Sequence, residues 1–189
     1  MSDTRVITPE AILSYPALIS PKKHEQSGQL RYQAELVFTD GTDLSSLTDA
    51  AEAAIAEEFG NKVPGDLKTP FDTRWEKFGY PEGSVFVRCN TTEPPGLVKG
   101  PRREECRDAD EFYPGAIVIA ELSASAYNVS GSKGVKFYLN SVWKIRDGER
   151  LAPKRSAGDA FKDVQVDAAA FGEEPSRGES QKTSRSMLL

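Results

Sequence analysis

Three stretches of this chain alternate with period two and place aromatic rings and cations two residues apart on one side of an extended backbone. Between 135 and 146, Lys136, Tyr138, Asn140, Lys144 and Arg146 share one side, while Val135, Phe137, Leu139, Trp143 and Ile145 share the other. Between 116 and 128, Val118, Ala120, Leu122, Ala124 and Ala126 form an apolar side, opposed by Glu121, Ser123, Ser125 and Tyr127. From Ser84 to Asn90, Val85, Val87 and Cys89 alternate with Phe86, Arg88 and Asn90. In each stretch the first side suits a core, and the second needs another explanation.

A sheet face carrying Phe86, Arg88, Tyr127, Lys136, Tyr138, Lys144 and Arg146 has what unpaired nucleic acid requires. Rings stack on bases, worth roughly 1–3 kcal/mol per base with little regard to sequence, and cations hold phosphates. Duplex DNA keeps its bases stacked on one another and gains little from the rings. The loop cations Lys22, Lys23, Arg102 and Arg103, and the pair Arg74 and Trp75 near Phe78, extend this candidate set. Loop cations are commonly solvated surface, however, and loop rings commonly anchors. The competing reading makes Phe86, Tyr127 and Tyr138 the cover of a second small core, with Lys and Arg stems lying over them.

Little else in the sequence could do chemistry. His24 is the single histidine, so a His-dependent triad or multi-His metal site lacks material. Cys89 and Cys106 form no CxxC pair and have no His partners at zinc spacing, which reads as free thiols in a reducing cytoplasm. Asp40, Asp43, Asp66 and Asp72 are explained as turn, cap and solvated residues, and neither GxxxxGK[ST] nor GxSxG occurs. A non-enzymatic protein without metal or cofactor is expected. No apolar leader or membrane-length apolar run is visible, and a cytoplasmic location is expected.

The formal net charge of -5 conceals an uneven distribution. Asp40, Asp43, Asp49, Glu52, Glu57, Glu58 and Asp66 face Lys62 alone, whereas Lys133, Lys136, Lys144, Arg146, Arg150, Lys154 and Arg155 outweigh Asp147 and Glu149. An acidic protein can therefore present one basic face.

The elements that must hold such a face are legible in outline. The apolar positions of residues 11–19 are interrupted by Pro16, which predicts an edge strand or a bulge. Arg31 to Phe38 reads as a half-buried strand, with Tyr32, Ala34, Leu36 and Phe38 on one side. Thr42 or Asp43 can cap a helix carrying Leu44, Leu47, Ala51, Ala54, Ile55 and Phe59, ended by Gly60. A long connection follows over 61–83, then a strand to Asn90. The strands from Ala116 and Val135 are predicted to form a hairpin across Gly131-Ser132-Lys133-Gly134. One domain over 1–163 is expected, since 189 residues at 38% hydrophobic, with nine Phe, six Tyr and two Trp, suffice for one core. A short helix through Phe161 fits beyond Ser156, and the polar segment 164–189 reads as a disordered tail.

Over most of residues 11–163 the chain resembles a family of bacteriophage single-stranded-DNA-binding proteins with an OB fold, formerly a domain of unknown function. The resemblance rests on the order and spacing of several pieces. These are Tyr15-Pro16 with Pro21-Lys22, Tyr32-x-Ala34-x-Leu36-x-Phe38, Tyr113-Pro114-Gly115, Ala124 with Tyr127-Asn128, and Leu139-Asn140-x-Val142-x-Lys144-x-Arg146-Asp147-Gly148-Glu149. It implies a mainly β, five-stranded OB barrel with one principal helix after the second strand. It further implies single-stranded DNA as partner and phage DNA replication or recombination as the setting. Phage replication or recombination proteins and a homo-oligomer are compatible with it, and contact residues are not identified by it. The tail departs from replication single-strand binders with acidic endings, since Glu173, Glu174 and Glu179 are offset by Arg177, Lys182 and Arg185. The alternative of another class is a phage structural protein of capsid or tail assembly, whose outward face would bury against protein.

Overall fold

The computed structural model describes residues 4–25, 27–151, 161, 164 and 165. The segment expected as a tail therefore lies outside the described residues except at Val164 and Gln165. The same holds for the short helix beyond Ser156, except at Phe161, whose carbonyl accepts from the Val164 amide at 2.9 Å.

In chain order the elements are β1 (Arg5–Ile7), β2 (Ala11–Lys23), β3 (Leu30–Phe38), α1 (Ser45–Phe59), β4 (Phe71–Asp72) and α2 (Trp75–Phe78). There follow β5 (Val85–Thr91), β6 (Gly96–Lys99), β7 (Glu104–Glu105), β8 (Ile117–Val129) and β9 (Ser132–Arg146). The fold is mainly β, with its principal helix after the early strands. The sheet order is β1-β8-β2-β3-β5-β9-β6-β7, with β4 beside β5 and a further pairing of β8 with β9. Neighbours are antiparallel except β5 with β9 and β6 with β9, which run parallel.

The core lies on one side of these strands and is closed by α1. Leu13, Leu36, Phe38, Val87, Val118, Leu122, Phe137 and Leu139 are all fully buried or nearly so, each contributing about 1.5–3 kcal/mol for large apolar side chains. Helix α1 packs on β8 and β1 through Leu47, Ala50, Ala51 and Ala54, whose small side chains permit close approach. Asp43 holds its start, with Oδ1 accepting from the Ser45 amide at 2.9 Å, and Gly60 closes it at φ 53°.

Of the register shifts in β2–β3 and β8–β9, three re-aim the side chains of interest, the last being an extra residue at Ile145 that returns Arg146 to the outward side. The β2–β3 register shifts between Ser14 and Ala17, so Tyr15 and Pro16 form a bulge where the proline has no amide to donate. On the hairpin, Leu122 pairs with Leu139 but Glu121 pairs with Ser141, leaving Asn140 as an extra residue on β9. An extra residue reverses the alternation beyond it. Val142 and Lys144 therefore turn inward, and Trp143 turns to the opposite side.

Candidate nucleic-acid interface

Register lines up the side of the sheet that faces away from the main core. Gln33 pairs with Asn90, Asn90 with Tyr138 and Tyr138 with Ser123, giving one row across β3, β5, β9 and β8. Two residues along, Ser14 pairs with Glu35, Glu35 with Arg88 and Ser125 with Lys136. Two further, Ile12 pairs with Val37 and Val37 with Phe86, while Tyr127 lies opposite Gly134. The three rows differ in chemistry, changing from polar with an exposed ring, through charged, to apolar.

The apolar row is covered. Val37, Tyr80 and Phe86 form a second buried cluster against which Ile12, Trp75, Phe78 and Leu151 pack. Phe86 is 0% exposed, with Phe78 and Tyr80 edge-on at 5.1 Å each. Tyr80 donates to Glu35 Oε2 at 2.6 Å and lies 2.9 Å from Ser14 Oγ. Burial and the Glu35 carboxylate push its phenol upward. Phe86 is thus removed from the set of base-stacking residues: α2 and Tyr80 lie over its end of the face, and its ring completes a core. Trp75 is an anchor in the same cluster.

The charged row forms the boundary of that cover. Arg88 lies over the rings of Phe78 and Phe86 at 5.2 and 5.3 Å, and its Nε donates to Glu35 Oε1 at 2.6 Å. One of its terminal nitrogens is 3.4 Å from Asp72, and the side chain remains 49% exposed. Arg74 grips Asp72 through a fork at 2.9 and 2.6 Å, which holds that carboxyl down to about 2. The guanidinium of Arg88 is thereby held beside aromatic carbon and remains half exposed.

Beside this row the connection before β4 runs against β9. The Lys68 amide donates to the Lys133 carbonyl at 2.9 Å, the Lys68 carbonyl accepts from Val135 at 3.1 Å, and Lys68 Nζ donates to Ser132 at 3.0 Å. Gly134 makes this approach possible, since a Cβ there would lie 2.7 Å from both the Lys68 carbonyl oxygen and the Tyr127 hydroxyl. Between residues 67–74 and the sheet lies a groove of ≈ 670 Å³, floored by Arg88, Asn90 and Lys136 and walled by Lys68 and Arg74. Next to it Lys136 Nζ sits 4.6 Å from the Tyr138 ring, which is 37% exposed. Lys136 forms no ion pair among the described residues. Asn140 donates to Ser123 at 2.8 Å, so neutral polar groups flank the ring. An unstacked base can lie on such a ring while its phosphates meet cations at the groove.

The structure thus brings Arg74, Arg88, Lys136, Tyr127 and Tyr138 together, and it separates the remaining candidates. Lys144, expected outward, is 7% exposed because the Asn140 bulge reverses its side; it pairs with Glu111 at 2.5 Å and Asp147 at 2.7 Å. Burial opposes its charge, but the two carboxylates outweigh it and the ammonium is held protonated. Arg146 is outward and paired with Glu10 at 2.6 Å. Arg102 and Arg103 lie in the exposed turn between β6 and β7, with Arg103 over Trp143 at 4.8 Å. Lys22 and Lys23 are exposed at the far end of β2. Lys68 and Gln33 escaped the sequence reading. Gln33 was open to it by alternation with Ala34, whereas Lys68 enters only through backbone pairing with β9, which leaves no local signal.

Elsewhere, His24 Nδ1 accepts from the Ser27 amide at 3.3 Å, a turn-forming role. Cys89 and Cys106 are buried free thiols, and burial pushes Cys89 up to about 12. Among the described residues no group of three or more His, Cys, Asp or Glu side chains could hold a metal, and no helix is long and apolar enough to cross a membrane.

The family described as Enterobacter phage Enc34, ssDNA-binding protein, matches residues 4–171 of the chain. Among solved structures, the single-stranded DNA-binding protein from bacteriophage Enc34 in complex with ssDNA superposes with a TM-score of 0.68 at 20% identity, over 79% of this chain and 90% of that one. A second structure of the single-stranded DNA-binding protein from bacteriophage Enc34 gives 0.65 at 21%, covering 84% and 90%. The bacteriophage T7 single-stranded DNA binding protein gp2.5 gives 0.55 at 15%, covering 82% and 99%. No curated protein matches by sequence.

Proposed function

Because the chain belongs to the family of the Enterobacter phage Enc34 ssDNA-binding protein, we propose that it binds single-stranded DNA without strong sequence preference and catalyses no reaction. One observation carries this reading: Tyr138 stands exposed beside the ammonium of Lys136, which itself lines a groove together with Lys68, Arg74 and Arg88. Stacking on a phenol ring ignores base identity, and the adjoining groups are amides and hydroxyls that donate and accept alike. Asn90, Asn140, Ser123 and Ser125 thus give tolerance where a fixed donor pattern would give selectivity.

Five strands, β2, β3, β5, β8 and β9, are read as the OB barrel. Support comes from the pairings of β8 with β2 and of β9 with both β5 and β8. The working domain is taken as 1–163 with 164–189 as its tail, acting in phage DNA replication or recombination in the host cytoplasm. Fluorescence titration at low salt tests the proposal, using an oligonucleotide single strand and the matching duplex. Preference for the single strand is expected, with affinity falling as salt rises; equal affinity for duplex would overturn it.

A further inference from the structure

A second groove of ≈ 530 Å³ opens along β2 at its bulge, lined among others by Tyr15, Lys22, Tyr113 and Arg150. Tyr15 adopts φ 43°, a left-handed conformation that costs a side-chain-bearing residue energy, yet its ring is 53% exposed. Burial does not repay that strain, which leaves display of the ring as its consequence. A second ring of the lining, Tyr113, is fixed by hydrogen bonds. The Tyr113 hydroxyl donates to the Gly148 carbonyl at 2.9 Å and accepts from the Gly148 amide at 3.0 Å. The Arg150 guanidinium lies 4.3 Å from the Tyr113 ring, and neither Arg150 nor Lys22 has an ion-pair partner among the described residues. Asp110 is the carboxylate of the lining.

We propose that this groove is a second nucleotide site, taking one base of a single strand against Tyr15 and its phosphate between Lys22 and Arg150. The inference rests on the reading of the chain as a single-strand binder, and it adds a position beyond the face around Tyr138. Tyr15 lies on β2 and Tyr138 on β9, which do not pair with each other but are joined through β8 on one side and through β3 and β5 on the other, so a single strand must be long enough to reach both. The pairing of strained ring with unpaired cations has the two components that a nucleotide needs, stacking and charge.

The test is a titration of the full chain with oligothymidylates of graded length, about 4 to 16 nucleotides. Tyr15→Gly removes the ring and also the strain, because glycine accepts positive φ. Its thermal midpoint is expected at or above that of the parent, and a lower one would show a structural ring and overturn the proposal. Affinity for the shortest strands should be unchanged, and for the longest weaker by roughly 10-fold. Arg150→Gln should lower the salt slope on long strands alone, by about 0.7. Equal affinity of Tyr15→Gly and parent at every length overturns the second site. Tyr138→Ala in parallel separates the two ideas: unchanged short-strand affinity there defeats the reading of the sheet face, while divergence of Tyr15→Gly with length still upholds this groove.

Discussion

Replacing Phe86 by alanine should unfold the protein more readily without weakening the folded protein's grip on DNA. The ring is 0% exposed and is enclosed by Phe78 and Tyr80 at 5.1 Å and by the Arg88 guanidinium at 5.3 Å. Truncating a buried phenylalanine costs about 3–5 kcal/mol, the edge-on ring contacts included. Set against a typical domain stability of about 5–15 kcal/mol, that is a large fraction. With a urea slope of about 1–3 kcal/mol per molar, the unfolding midpoint should fall by roughly 2 M. Trp75 packs on the same cluster and reports the transition by fluorescence. Affinity of the folded variant for a single strand, measured well below that midpoint, should stay within about twofold of the parent, far less than the loss of one stacked base. An unchanged midpoint with weakened binding would put the ring on DNA and refute the burial argument.

Lys144→Met should lower the thermal midpoint, since Glu111 and Asp147 lose a shared partner, yet leave the salt slope of binding unchanged; a reduced slope would place the ammonium on phosphate. Stability should hold constant from neutral pH to about 5 and then fall. Hydrogen bonds from Lys144 and Lys99 hold Glu111 at about 2 against its ordinary 4.5, so its contribution is present above 4.5 and is lost as pH drops toward 2. Glu111→Gln should flatten that acid limb in a thermal melt series, and an unaltered limb would contradict the assignment.

What the sequence disclosed and what it concealed follow from how local each determinant is. The two sides of β8, from Val118 to Tyr127, were legible because no bulge interrupts the alternation there. The helix was equally legible from the spacing of Leu47, Ala51 and Ala54 before Gly60. On β9 the same reasoning holds to Leu139 and then assigns Trp143 and Lys144 to the wrong sides, because the extra residue Asn140 reverses the alternation. Nothing about an asparagine inside a strand announces a bulge. Phe86 was misplaced for a different reason: its cover comes from Phe78 and Tyr80, in a connection whose fold-back is a tertiary event. The competing expectation of a second small core was right for Phe86, whereas Tyr138, on the same face, remains exposed. The groove depends on Lys68 pairing with β9 and on parallel pairing of β5 with β9, and neither leaves a periodic trace in the chain.

The central claim is most directly tested by measuring single-strand affinity against salt concentration for the parent, Tyr138→Ala and Lys136→Ala. Tyr138→Ala should weaken binding by about 1–3 kcal/mol at every salt concentration, with the slope unaltered. Lys136→Ala should instead reduce the slope of log K against log salt by about 0.7, the signature of one lost phosphate contact. Parallel, superimposed lines for all three proteins would contradict the account and move the DNA off this face.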